Sequence, residues 1–402
     1  GALARVAFDL DGRLADTGTS GLTSLRAAGV ASADTDEWRL RIDSLRAGPS
    51  AGPSPAMRGI ARWRRAGDAH AVDVVADLLT LDLLSAFGRG LPGELRQARG
   101  ELHGLRFAWR TDAGSSPRWF LQTGIAHGSI GPIARLPGVD ALAGGLALNT
   151  HAGALDFDNG GATLAAGERF VDPVAVDGVT GVVRWQRDGD GWRVATPELR
   201  GAAAAIPFEL AGSASLTPGR RPRVEADLAL GAADLARLPR LLPRGVLKER
   251  AETWFRNAFK GGGLTYARAE LRGDLHDFPF DAGNGLFLVE FDVDDVSLQY
   301  SDKWPIVDGV RAHGAIAGRR FRVQAQEARF FTSPGRDIDL AIPDLFSKTP
   351  VLQGVATVRA TLPDVLRTIA ESPLKDGPAA HLSTLDVQGD FDLALDLGIG
   401  LK

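Results

Sequence analysis

The stretch GLFLVEFDVDDVSLQY, Gly285–Tyr300, decides the fold. Phe287, Val289, Phe291 and Val293 alternate with Glu290, Asp292 and Asp294. In an extended backbone successive side chains point to opposite faces, so the apolar set shares one face and the acids the other. Asp295 adds one residue to the count, and Val296, Leu298 and Tyr300 return to the apolar face if a β-bulge absorbs it.

The same period of two recurs outward from this strand. Phe321 and Val323, then Ile338, Leu340 and Ile342, then Phe391, Leu393, Leu395 and Leu397 repeat it toward the C-terminus. On the other side it is legible in Leu146 and Leu148, Leu155 and Phe157, Phe208 and Leu210, and Val224 to Leu230. Turn residues separate the runs at intervals of roughly 8–12 residues, the spacing of all-β folds. The fold expected is mainly β: an elongated, twisted, mostly antiparallel sheet forming a groove, with a few short helices.

An internal similarity organises the chain. ARGELHGL at Ala98–Leu105, LRGDLHDF at Leu271–Phe278 and VQGDFDLA at Val387–Ala394 each carry Gly, an acid, an apolar residue and His or Asp. Each follows a Leu/Pro-rich segment with helical spacing. A helical insert is therefore expected near 78–90. A helix is expected over about 245–259, where Leu247, Ala251, Trp254, Phe255 and Ala258 share a face. Gly261–Gly263 would stop that helix and reverse the chain, because glycine takes positive φ without strain. The division expected is 1–234 and 235–402 within one continuous body.

Composition bounds the chemistry. With 402 residues, 44% hydrophobic and 24% charged, the chain is an ordinary folded one, and 49 Gly with 22 Pro suit many turns. A net charge of −4 gives no reason to expect a nucleic-acid partner. The cluster Arg58, Arg62, Arg64 and Arg65 reads as a solvated strand edge that discourages aggregation. Cysteine is absent, which removes disulfides, thiolate metal sites and a Cys nucleophile, and suits an oxidising compartment such as a periplasm. No run reaches the ~18 apolar residues that span a bilayer. Strand-like sequence at both ends suggests a piece of a longer protein.

No constellation of catalytic residues emerges. The seven histidines are scattered singly; His151 near Asp156 and Asp158 is the nearest to a metal set, on an ordinary strand-turn pattern. Asp292, Asp294 and Asp295 lack the loop and closing Glu of a calcium site. Nucleophile elbows, phosphate loops and dinucleotide fingerprints are missing, and no carboxylate pair is singled out. No catalytic residue, metal or cofactor is expected. Two arrangements of the apolar faces stay open: closed sandwiches, as in a tethering scaffold, or an open sheet. A β-rich glycan hydrolase is a third reading.

One region goes further. WFRNAFKGGG, RGDLHDFPF, GLFLVEFDVDDVSLQYSDKWP and VDGVRAHGAI, in that order, resemble the YhdP-type branch of the AsmA-like envelope protein family. The residues that carry the resemblance are Gly261, Gly262, Gly273, Leu275, Asp277, Phe278, Pro279, Phe280, Trp304 and Pro305. It is strongest from about Leu235 to Leu397.

The resemblance implies a non-enzymatic, bridge-like protein of the Gram-negative periplasm, anchored in the inner membrane, that carries phospholipids between the inner and outer membranes. Its membrane contacts would lie in segments outside this chain, and a monomer is expected. Some 20 strands at ~4.8 Å would give a trough on the order of 100 Å long. Its acyl-chain lining would comprise Phe287, Val289, Phe291, Val293, Val296, Leu298, Tyr300, Phe321, Val323, Ile338, Leu340, Ile342, Phe391, Leu393, Leu395 and Leu397. Leu247, Trp254 and Phe255 would form a lid or cap.

Overall fold

The computed structural model describes residues 4–13, 24–48, 56–81, 98–132, 137–166, 170, 172–242, 244, 249–376 and 389–401. The protein is mainly β and its strand pairs are antiparallel, as the alternation requires. Two compact units are present, Gly1–Leu199 and Arg200–Lys402.

The first unit runs through β1 (Ala4–Arg13), β2 (Ser24–Ala33), β3 (Glu37–Gly48), β4 (Met57–Ala66) and β5 (Ala69–Thr80). It continues with β6 (Arg99–Thr111), β7 (Arg118–Ile130), β8 (Val139–Asn149), β9 (Ala152–Leu164) and β10 (Val174–Asp188). Each of these strands pairs with its predecessor. Such a meander follows from short turns, since only antiparallel neighbours can be joined by a few residues. The division between the units falls within β11 (Gly191–Ala203).

The second unit holds β12 (Ile206–Leu216), β13 (Arg223–Leu230), the two-residue β14 (Ala233–Asp234), β15 (Phe259–Asp274) and β16 (Leu286–Leu298). It ends with β17 (Val307–Ala317), β18 (Arg320–Phe330), β19 (Ser333–Ile342), β20 (Val351–Thr361) and β21 (Asp390–Gly400). β13 pairs directly with β15, and from β15 to β21 each strand pairs with the next.

The expected bulge is present. Asp295 takes φ 50°, and the β16–β17 register jumps from Val293↔Ala312 to Val296↔Val310. The glycine triplet turns out to serve this bulge rather than a helix stop. Helix α1 (Glu249–Ala258) gives way to β15 at Phe259, so Gly261–Gly263 lie inside a strand. Gly262, at φ 107°, faces the bulge; a Cβ there would come within 2.5 Å of the Val296 Cα.

Helix α1 ends one residue before the expected 259, and residues 245–248, with Leu247, lie outside the described set. Of the expected helical insert near 78–90, residues up to Thr80 belong to β5 and 82–90 lie outside the described set. The third Leu/Pro-rich segment does form a helix, α2 (Leu362–Ala370), with Thr361 Oγ1 accepting from the Asp364 N–H at 3.4 Å. The repeated glycines share one conformation: φ is 121° at Gly100, 137° at Gly273 and 138° at Gly389. A side chain at Gly273 would strike the Phe280 ring at 2.6 Å.

The arginine cluster is not an edge. β4 is interior, pairing with β3 and β5. Arg62 donates to Glu37 at 2.7 and 2.6 Å, Arg64 pairs with Asp73 at 3.1 Å, and Arg110 reaches the same Asp73 at 2.6 Å. Those hydrogen bonds, from Arg62 first and Arg39 second, hold the Glu37 carboxyl down at about 2. The polar face is thus a lattice of cross-strand ion pairs that leaves its reverse free to be apolar.

Candidate functional site

The chemistry of both units resides in how the strand registers align side chains. In the second unit a single cross-strand row runs Phe208, Leu230, Ala267, Phe291, Gly314, Val323, Leu340, Gly354, Leu397. The row one step along runs Leu210, Leu228, Ala269, Val289, Ile316, Phe321, Ile342. Val293, Ala312, Ala325 and Ile338, just short of the bulge, form a third. No polar side chain interrupts any of the three.

The reverse face is charged. Asp294 accepts from Arg311 at 2.8 Å, Asp292 meets His313 at 2.9 Å, and Arg322 is bonded to Asp339. In the connections beyond the strand ends, Arg319 bridges Asp281 and Asp344 at 2.7 and 3.1 Å. The guanidiniums hold the Asp294, Asp339 and Asp281 carboxyls below the usual aspartate value through their hydrogen bonds.

Cover over the apolar face is incomplete. Phe287, Val289, Phe291, Val293, Leu298, Tyr300, Phe321, Val323, Leu340, Leu393, Leu395 and Leu397 are half-buried, and Phe391 is 36% exposed. Val296, Ile338 and Ile342 are buried. Ile338 sits in a cluster with Val307, Ala312, Ala325, Ala328 and Ala356, and Val296 in another with Leu235 and Leu264. A sheet face packed against a second sheet would bury its central residues as Ile338 is buried; most of this face is not.

Phe291 and Phe321 stack at 6.5 Å with planes 17° apart. Tyr300, beyond the end of β16, packs on Trp304, and burial pushes its hydroxyl well above the ordinary tyrosine value. Of the cap residues, Trp254 is 44% exposed and donates its indole N–H to the Tyr300 carbonyl at 2.9 Å. Phe255 meets Phe259 edge-on at 5.4 Å. Helix α1 is thereby tied to the start of β15 and the end of β16. The Phe-Pro-Phe run closes the β15–β16 connection: Phe278 contacts Phe280, Phe287 and Phe346 within 6 Å, and Phe280 is buried.

The first unit repeats the design, for which the sequence reading named only Leu146, Leu148, Leu155 and Phe157. Its row runs Val6, Ala31, Leu40, Ala61, Val74, Phe107, Leu121, Leu148, Gly153, Trp185 across ten strands. Small residues hide this pattern in each strand alone, where Ala and Gly carry little hydropathy signal. Among the described residues no group of three His, Asp or Glu side chains is placed to hold a metal.

Two apolar faces built strand upon strand, each backed by an ion-pair lattice, invite comparison with known proteins. The family model described as YhdP protein matches residues 4–402. The chain belongs to the YhdP family. No curated protein and no solved structure matches it. The match extends the likeness carried by Gly261–Pro305 over nearly the whole chain, so the YhdP assignment covers both units. Among the described residues no helix is long and apolar enough to cross a membrane.

Proposed function

We propose that this chain is a non-enzymatic segment of an intermembrane phospholipid carrier, working in the periplasm of a Gram-negative envelope, and that its apolar faces form a groove shielding acyl chains. The observation that carries the reading is the uninterrupted apolar row Phe208 to Leu397, half-buried at every position but Gly314. Membership of the YhdP family, an AsmA-like envelope group, supports it.

The physics needs no catalytic group. At ~0.8 kcal/mol per buried CH₂, a 16-carbon chain gains roughly 12 kcal/mol on leaving water. Nine strand steps in the first unit and eight in the second, at ~4.8 Å each, make each face about 40 Å long, enough for more than one acyl tail. Lateral movement requires sites of similar depth, and rows of Val, Leu, Ile and Phe with interspersed Ala and Gly provide them. In this reading the chain acts as a monomer without cofactor or nucleic acid, and joins the inner and outer membranes through segments outside it.

Mass spectrometry of lipids extracted from the purified chain tests the proposal. Copurifying phospholipid, with an extended particle by X-ray scattering, is the expected result. A compact, lipid-free particle would favour a tethering scaffold, and turnover of an envelope polysaccharide a hydrolase.

A further inference from the structure

Four of the chain's eight tryptophans fall in one cross-strand row of the first unit. Trp38 pairs with Trp63, Trp63 with Val72, Val72 with Trp109, and Trp109 with Trp119. Two residues inboard on the same face the lining is aliphatic and aromatic, from Leu40 through Val74 to Leu121. Two residues outboard, beside the hairpin turns, it is polar: Asp36 and Arg65 form an ion pair at 3.5 Å, and His70 stacks on Trp63 at 5.7 Å. Trp38 is 59% exposed.

Hydrocarbon, indole and charge thus succeed one another in steps of ~7 Å, two residues of strand. That order is the one found across a bilayer interface, where tryptophan sits because its body is apolar and its N–H needs a polar partner. Random placement would scatter the indoles; here four of five successive strands offer one at the same depth, with Val72 on β5 between them.

We propose that this row is a rail that fixes lipid orientation: glycerophospholipids lie with their ester and phosphate groups at the indoles and Arg65, and their chains directed inboard toward Phe107 and Leu121. The inference rests on the acyl-chain reading above and adds to it an edge, a polarity and named residues.

The test uses the purified chain loaded with phosphatidylglycerol bearing a diazirine either in the headgroup or at the end of one acyl chain, with adducts mapped by peptide mass spectrometry. Headgroup adducts concentrated at the tryptophan row and its hairpin turns, with chain-end adducts on the inboard rows, are expected. In a Trp63→Leu, Trp109→Leu double variant the headgroup adducts should spread along the strands while chain-end adducts persist, since leucine keeps the apolar surface and removes the N–H. Chain-end adducts on the face with headgroup adducts elsewhere, or unchanged in the variant, overturn the rail and leave the groove reading standing. Absence of adducts from both probes on this face overturns both.

Discussion

The tip of the Phe291 ring lies over Gly314, its register partner on β17. A Cβ at 314 would overlap the ring, so the glycine is a seat for the phenylalanine and for its stacking on Phe321. Gly314→Val should push the ring off this seat and destabilise the second unit by about 1–3 kcal/mol, the usual range for overpacking. Urea unfolding monitored by circular dichroism measures it; unchanged stability would show that the ring has room elsewhere.

Phe291→Asp and Val323→Asp place a charge on the half-buried row. Because these positions retain access to water, the fold should survive while photo-crosslinking of lipid to neighbouring positions falls. Crosslinking that persists in both variants would remove these residues from the lipid path.

The bulge pairs two unusual backbones, Gly262 at φ 107° and Asp295 at φ 50°. Gly262→Val meets both a forbidden conformation and the Val296 backbone, and should cost about 2–3 kcal/mol. Asp295→Gly should stay within ~0.5 kcal/mol, since glycine accepts positive φ and aspartate only tolerates it. Thermal denaturation of both variants decides the order.

Asp364 is the buried acid of α2, accepting from the Thr332 N–H at 3.0 Å, the Thr332 hydroxyl at 2.6 Å and the Ser333 hydroxyl at 2.7 Å. Burial raises its proton affinity, and the donated hydrogen bonds outweigh that, leaving the carboxyl below the usual aspartate value. A depressed folded pKa contributes stability above the unfolded value, ~3.9, and loses it as pH falls through the folded one. Asp364→Ala should lower stability at pH 7 by about 2–3 kcal/mol by stranding those donors. Its loss of stability between pH 5 and pH 2 should also be shallower than that of the native chain; parallel pH profiles would show that Asp364 carries no such linkage.

Much of the architecture was legible because β-structure writes itself as a period of two. Phe287 to Val293 declared a face, and Asp295 declared a bulge, from order alone. The Gly261–Gly263 triplet was misread because positive φ suits a helix stop and a bulge equally, and only the pairing with Asp294 and Ser297 distinguishes them. Arg62 and Arg64 were misread as an edge because a charged strand face looks the same whether or not a neighbour supplies Glu37 and Asp73.

By itself, then, the order of residues determined the strands, their two faces and the family motif, since each depends on side chains close in the chain. Which strands lie side by side, and at what register, belongs to the tertiary structure. Only that alignment brings Phe208 and Leu397, 189 residues apart by number (397 − 208), into one apolar row, and gathers Trp38, Trp63, Trp109 and Trp119 at one depth. Backbone hydrogen bonds between strands are indifferent to side-chain identity, so the rows arise from turn length and bulge position acting along each unit's strands.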